Sequence, residues 1–120
     1  MSDLIHLVRV YDAHAPFASP AFLVDRLWPR GISKARLEGV EWLKDIAPSN
    51  ELRQWFHADP HRWEAFVEYY RHELAQGTAC DRLLTLLKQD TAITLLYGSK
   101  DAQHNHAIVL RDFLLAQRTF

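Results

Sequence analysis

Residues 92–97, Ala-Ile-Thr-Leu-Leu-Tyr, form a short and mostly apolar run, β-branched at Ile93 and Thr94, between two stretches of helical periodicity. Upstream, Leu83, Leu84, Leu86 and Leu87 mark a helix ending by about Gln89. Downstream, Ala107, Leu110, Phe113 and Leu114 recur at the spacing of one helix face. A strand between two helices is the signature of a parallel sheet, because parallel neighbours need a long crossover and helices supply it. The expected fold class is therefore α/β. It is a single compact domain over residues 1–120, with a mostly parallel sheet of about four strands and helices packed around it.

The rest of the chain supplies the other elements. Leu4 to Tyr11 and Ala21 to Val24 read as strands, with a proline-containing loop between them. Pro29-Arg30-Gly31 is a turn, Ser33 caps a short helix, and Gly39 ends it. Val40 to Leu43 is a third strand or a short helical turn. Ser49 caps a helix with Glu51 in its first turn, and Asp59-Pro60 starts another. In that second helix Trp63, Phe66, Val67, Tyr70 and Leu74 lie on one apolar face, which runs out near Gly77.

Three of the strand-like runs stop at a pair of opposite charges: Asp25-Arg26, Lys44-Asp45 and Lys100-Asp101. If the runs are neighbouring parallel strands, the pairs gather at the carboxyl edge of the sheet, where open α/β folds keep their ligand sites. Three cations beside three carboxylates can bind an anion and move a proton. They can equally close into a neutral ion network. Arg30, beyond the rigid Trp28-Pro29 turn, adds a second guanidinium to the Asp25-Arg26 segment, and such planar forks suit phosphate or carboxylate. His106, three and four residues before Val109 and Leu110, points inward, as a proton carrier or a hydrogen-bonded core group. Asp101 is a candidate cap for the last helix, and His104 is read as solvated.

Other chemistries are weakly signalled. The formal charge is −1 from 14 basic and 15 acidic residues, without the basic excess of a nucleic-acid binder. No run reaches the ~20 apolar residues of a membrane span, and Met1-Ser2-Asp3 does not open a signal peptide. With a single cysteine, Cys80, the chain reads as cytoplasmic. A structural role for Cys80 is favoured over a nucleophilic one. Among the seven histidines, His57 and His61 are four apart, but Asp59-Pro60 breaks the helix that would align them, so no metal site is assigned. No motif specifies a cofactor or an oligomeric state. The aromatics of Leu52-Arg53-Gln54-Trp55-Phe56-His57 and Trp63-Glu64-Ala65-Phe66 sit at helix-core spacing, which favours packing over a stacking platform for single strands.

Taken in order, several motifs carry a family resemblance. They are Val24-Asp25-Arg26-Leu27-Trp28-Pro29-Arg30-Gly31, Trp42-Leu43-Lys44-Asp45-Ile46-Ala47-Pro48-Ser49, Leu52-Arg53-Gln54-Trp55-Phe56, Asp59-Pro60-His61-Arg62-Trp63, Thr94-Leu95-Leu96-Tyr97-Gly98-Ser99-Lys100-Asp101 and Asn105-His106-Ala107. The chain resembles, over nearly its whole length, the YeaO-like family of small bacterial proteins, a domain of unknown function. The resemblance implies a compact single α/β domain of bacterial origin and brings no assigned reaction or cofactor. It also implies two departures. Distant relatives carry Cys-His-Arg where this chain has Asn105-His106-Ala107, so His106 keeps the shared position while the thiol and the arginine are gone. Similar sequences have an Asp-Gly turn and an arginine where this chain has Ala18-Ser19-Pro20-Ala21.

Two readings follow. In the first, the chain binds or transforms a small anion, a phosphate-bearing metabolite or nucleotide. Arg26, Arg30 and Lys100 hold its charge, with Lys44 and Asp45 beside them. Asp25 or Asp101 is the base and His106 the proton shuttle. In the second, the chain is a non-enzymatic module that binds protein or nucleic acid through Trp28, Trp55, Trp63 and nearby arginines. The first leads, because the charges lie at strand ends and the aromatics at core spacing.

Overall fold

The computed structural model describes residues 4–118. Four strands form one sheet: β1 (Ile5–Arg9), β2 (Ala21–Leu23), β3 (Val40–Trp42) and β4 (Ile93–Tyr97). Their order is β1-β4-β2-β3, and every pairing is parallel. The three charge-terminated runs are thus neighbours, and β4 is central, as its apolar sequence requires. All five of its residues are buried.

Four helices follow from the caps and faces in the sequence: α1 (Asn50–Ala58), α2 (Trp63–Gln76), α3 (Asp81–Lys88) and α4 (His106–Arg118). Ser49 Oγ accepts the Leu52 N–H and caps α1. Asp59 accepts the His61 N–H to open a 3-10 turn, Pro60–Arg62, that leads into α2. On α2, Phe66, Tyr70 and Leu74 are buried, each contributing about 1.5–3 kcal/mol of apolar burial. Gly39, at φ 82°, ends a 3-10 turn over Ala35–Leu37 in the left-handed region that favours glycine. The segment read as a short helix after Ser33 is this turn.

The helices all lie on one face of the sheet. Phe22, Val24, Ile93 and Leu95 point into a core shared with buried residues of α1 to α4. The alternate residues Ala21, Leu23 and Leu96 point the other way, into a smaller core closed by loop residues, Ile32 and Leu37. Two prolonged loops, 10–20 and 24–39, therefore do on one face what helices do on the other. Among the described residues no helix is long and apolar enough to cross a membrane.

Candidate functional site

At the carboxyl ends of β2 and β4 the chain leaves a cavity of about 510 Å3. Its walls come from five segments: the loop after β2, the approach to α1 with α1 itself, α2 through Phe66, the β4–α4 loop, and the start of α4.

The innermost group is Asp25. The β2–β4 ladder ends with Val24 N–H donating to Leu96 O. One residue further on, the Asp25 carboxylate takes over the role of backbone, and its Oδ2 accepts the Gly98 N–H at 2.9 Å. This close approach favours glycine at 98. A Cβ there would lie 2.8 Å from Asp25 Oδ2, inside any real contact. The other carboxylate oxygen, Oδ1, is 3.2 Å from His106 Nε2, with both side chains more than four-fifths buried. The same Nε2 lies 2.9 Å from Val24 O. A carbonyl can only accept, so Nε2 carries the proton. That proton is directed at the carbonyl, and Asp25 Oδ1 receives no hydrogen bond among the described residues.

Arg26 is a latch. Its Nε donates to Pro48 O at 2.8 Å and one Nη to Ala47 O at 3.3 Å, tying the end of β2 to the approach to α1. Asp101 holds the β4–α4 loop. Its Oδ1 accepts the N–H groups of Gln103 and His104, and its Oδ2 lies 3.2 Å from His104 Nδ1. Chiefly through the Gln103 N–H, these bonds hold the Asp101 carboxyl below its ordinary range. Asp101 does not cap α4, because the helix begins only at His106. Asn105 does so instead, accepting the Ile108 N–H through Oδ1 and donating through Nδ2 to Asp101 O. His104, read as solvated, also meets Trp63 edge to face at 5.2 Å.

Of the charged residues singled out by sequence, Asp25, Arg26, Lys100, Asp101 and His106 line this cavity. Arg30, Lys44 and Asp45 do not. Arg30 follows the Trp28-Pro29 turn out to the surface, where its carbonyl accepts the Tyr11 hydroxyl. Lys44 and Asp45 open a 3-10 turn that buries Ile46 and leaves both charges exposed. Lys44 lies over the Trp42 ring at 5.4 Å, and Asp45 borders a separate cavity of about 140 Å3. None of the three sequence-adjacent pairs closes into an ion pair among the described residues; Asp25 and Asp101 face His106 and His104 instead.

Sequence reasoning missed Arg53 and His57. With Phe56 they occupy positions i, i+4 and i+3 of α1, one helix face that lines the cavity. The spacing was visible, but the surrounding aromatics read as core. Arg53 makes no side-chain hydrogen bond or ion pair among the described residues, and its Nε is buried without an acceptor. Burial, Arg53 and His106, in that order, lower the pKa of His57. Cys80 is buried and does not line the cavity. Burial and then Asp81 push its thiol up to about 11, the profile of an inert core thiol. The tryptophans are engaged internally: Trp28 Nε1 donates to Ile32 O, Trp63 stacks on Phe66, and Arg62 covers Trp55. Among the described residues no group of three or more His, Cys, Asp or Glu could hold a metal ion.

Fold and site together define a two-layer parallel α/β domain with a cavity at the carboxyl edge of its sheet, lined by Arg26, Arg53 and Lys100 and by Asp25 and Asp101. Residues 4–119 match the family model described as the inactive DUF488-N3 subclade, and the chain belongs to this family. It is 44% identical over 110 residues to the uncharacterised protein YeaO of Escherichia coli (strain K12), covering 92% of this chain and 96% of the relative. It is 36% identical over 110 residues to uncharacterised proteins of Mycobacterium tuberculosis and Mycobacterium bovis, with 92% of each chain covered. No solved structure matches this chain.

Proposed function

We propose that the cavity binds a small anionic ligand, a phosphate-bearing metabolite or nucleotide, and holds it without turnover. Arg53 carries this reading. It lines the cavity, has no acceptor among the described residues, and buries one guanidinium nitrogen unsatisfied. A buried donor without a partner costs about 1–3 kcal/mol, which an oxyanion placed against the guanidinium would offset. Lys100 at the rim, which makes no ion pair among the described residues, and the remaining Nη of Arg26 add to the positive field.

Asp25 would repel an anion if it faced the ligand alone. Its Oδ2 is engaged by the Gly98 N–H, and its Oδ1 lies 3.2 Å from His106 Nε2 without accepting a hydrogen bond among the described residues. On this reading the ligand's charge therefore sits against Arg53 and Lys100 rather than against Asp25. On this reading Asp25, His106 and Asp101 position the two loops around the ligand rather than transfer protons. The description of the subclade as inactive supports binding without catalysis. So does the presence of Asn105 and Ala107 around His106, where the resemblance implies a thiol and an arginine in distant relatives.

Titration calorimetry with inorganic phosphate and with adenosine monophosphate tests the reading. One equivalent of at least one of them should bind the wild type. Arg53→Met combined with Lys100→Met should weaken it tenfold or more. Absence of binding, or binding untouched by both substitutions, would reject the site.

A further inference from the structure

The geometry points to a ligand in which the anionic group is carried on a flat apolar ring, a ring-bearing phosphate or carboxylate rather than a bare oxyanion. This inference rests on the anion-binding reading above. Its independent support is the remainder of the wall. A cavity of about 510 Å3 lies in the range that takes a whole organic ligand, roughly 300–1,000 Å3, and is far larger than one phosphate. The cations cover only part of it. Phe56, Phe66, Leu27, Ala47 and Pro48 supply an apolar surface beside them.

That surface is held ready in shape. The Phe56 and Phe66 rings stand 4.6 Å apart, tilted by 31°. Trp63 stacks on Phe66 at 5.6 Å and contacts Phe56 at 5.7 Å. Rings braced in this way offer faces and edges to a further ring at little cost in side-chain freedom. Leu27 is 58% exposed on the rim, where a ring entering the cavity would cover it. On α1 the cation and the ring are neighbours by helical geometry, since Arg53 and Phe56 are three residues apart. A ligand with its charge directly on a ring spans that pair. A bare phosphate would satisfy Arg53 and leave the aromatic wall in water.

Calorimetric titration of the whole chain with phenyl phosphate, inorganic phosphate and benzyl alcohol separates the two parts. Phenyl phosphate should bind at least about tenfold tighter than inorganic phosphate. Phe56→Ala should bring the ratio of the two affinities toward one. Phe56→Leu, which keeps apolar volume but removes the ring, should lower the same ratio and guards against a folding defect in the alanine variant. Arg53→Met should weaken both phosphates. Equal affinity of the wild type for the two phosphates overturns the ring inference and leaves the anion site standing. Benzyl alcohol binding as tightly as phenyl phosphate, or no binding by any probe, overturns the anion reading and the ring inference with it.

Discussion

The ends of β2 and β3 begin from nearly the same sequence pattern and reach opposite outcomes. Each is a short apolar run closed by two opposite charges. After β2, Asp25 turns inward, is more than four-fifths buried, and meets Gly98 and His106. After β3, Lys44 and Asp45 are both exposed. The difference lies in the neighbours. β2 sits between β4 and β3, so its end is enclosed by the β4–α4 loop on one side and the approach to α1 on the other. β3 is an edge strand with a single partner, and its own residues are half-buried or exposed. For these two strands, an interior place in the sheet goes with a charge that lines the cavity, and an edge place with charges that do not.

The largest test of this comparison is at the enclosed end. Asp25→Ala removes a charged acceptor from the half-buried Gly98 N–H and should destabilise the fold by about 1–3 kcal/mol. Gly98→Ala should cost a similar amount, because its Cβ would come within 2.8 Å of Asp25 Oδ2 and push the carboxylate off the N–H. The two losses share one contact, so they should not add. In the Asp25→Ala background, Gly98→Ala should cost under about 1 kcal/mol more. Additive losses in urea unfolding would mean that the carboxylate and the glycine act separately, and the account of this strand end would fail.

The exposed end is held by something other than its charges. The 3-10 turn after β3 buries Ile46, and the fully buried Tyr70 donates its hydroxyl to Ile46 O at 2.7 Å. Burial, first of all, raises the Tyr70 pKa well above its ordinary value, so it remains a donor at neutral pH. Tyr70→Phe leaves that carbonyl without a partner and should cost about 1–2 kcal/mol. Lys44→Ala and Asp45→Ala should each stay within about 0.5 kcal/mol of wild type. A thermal or urea midpoint that ranks the charge substitutions above Tyr70→Phe would reverse the comparison.

The contrast also marks what could be read from residues. The class of fold, the central strand, the caps at Ser49 and Asp59 and the apolar face of α2 all follow from local periodicity and short-range hydrogen bonding, which a sequence carries directly. The confinement of the helices to one face does not, because it depends on which loops can cover the other. For the site, Asp25, Arg26, Lys100 and Asp101 were legible as charges next to strand ends, and His106 as an inward residue from its spacing to Val109 and Leu110. Lys44, Asp45 and Arg30 carried the same local signal and lie elsewhere, since strand order and the path of the Trp28-Pro29 turn are tertiary facts. Arg53 and His57 were overlooked for the converse reason: they share α1 with Trp55 and Phe56, and an aromatic helix looks like core until its other face is seen to line a cavity.

The smallest effect concerns His57, which has no counterpart near the end of β3. Its pKa in the folded chain lies below the unfolded value of about 6.5, because burial, Arg53 and His106 all disfavour its charged form. As pH falls through 6.5 the unfolded chain takes up a proton that the folded chain still refuses. Stability therefore declines as pH drops, and the loss stops accumulating once pH is below the folded pKa. His57 is exposed on one side, so solvent screening should keep this to a few tenths of a kcal/mol. His57→Gln should show a smaller drop in urea midpoint than wild type between pH 7.5 and pH 5. An anion held against Arg53 would remove part of the repulsion, so saturating inorganic phosphate should shrink the wild-type drop while leaving that of His57→Gln nearly unchanged. An equal drop in both proteins without phosphate would show that His57 does not sense the charge of the cavity.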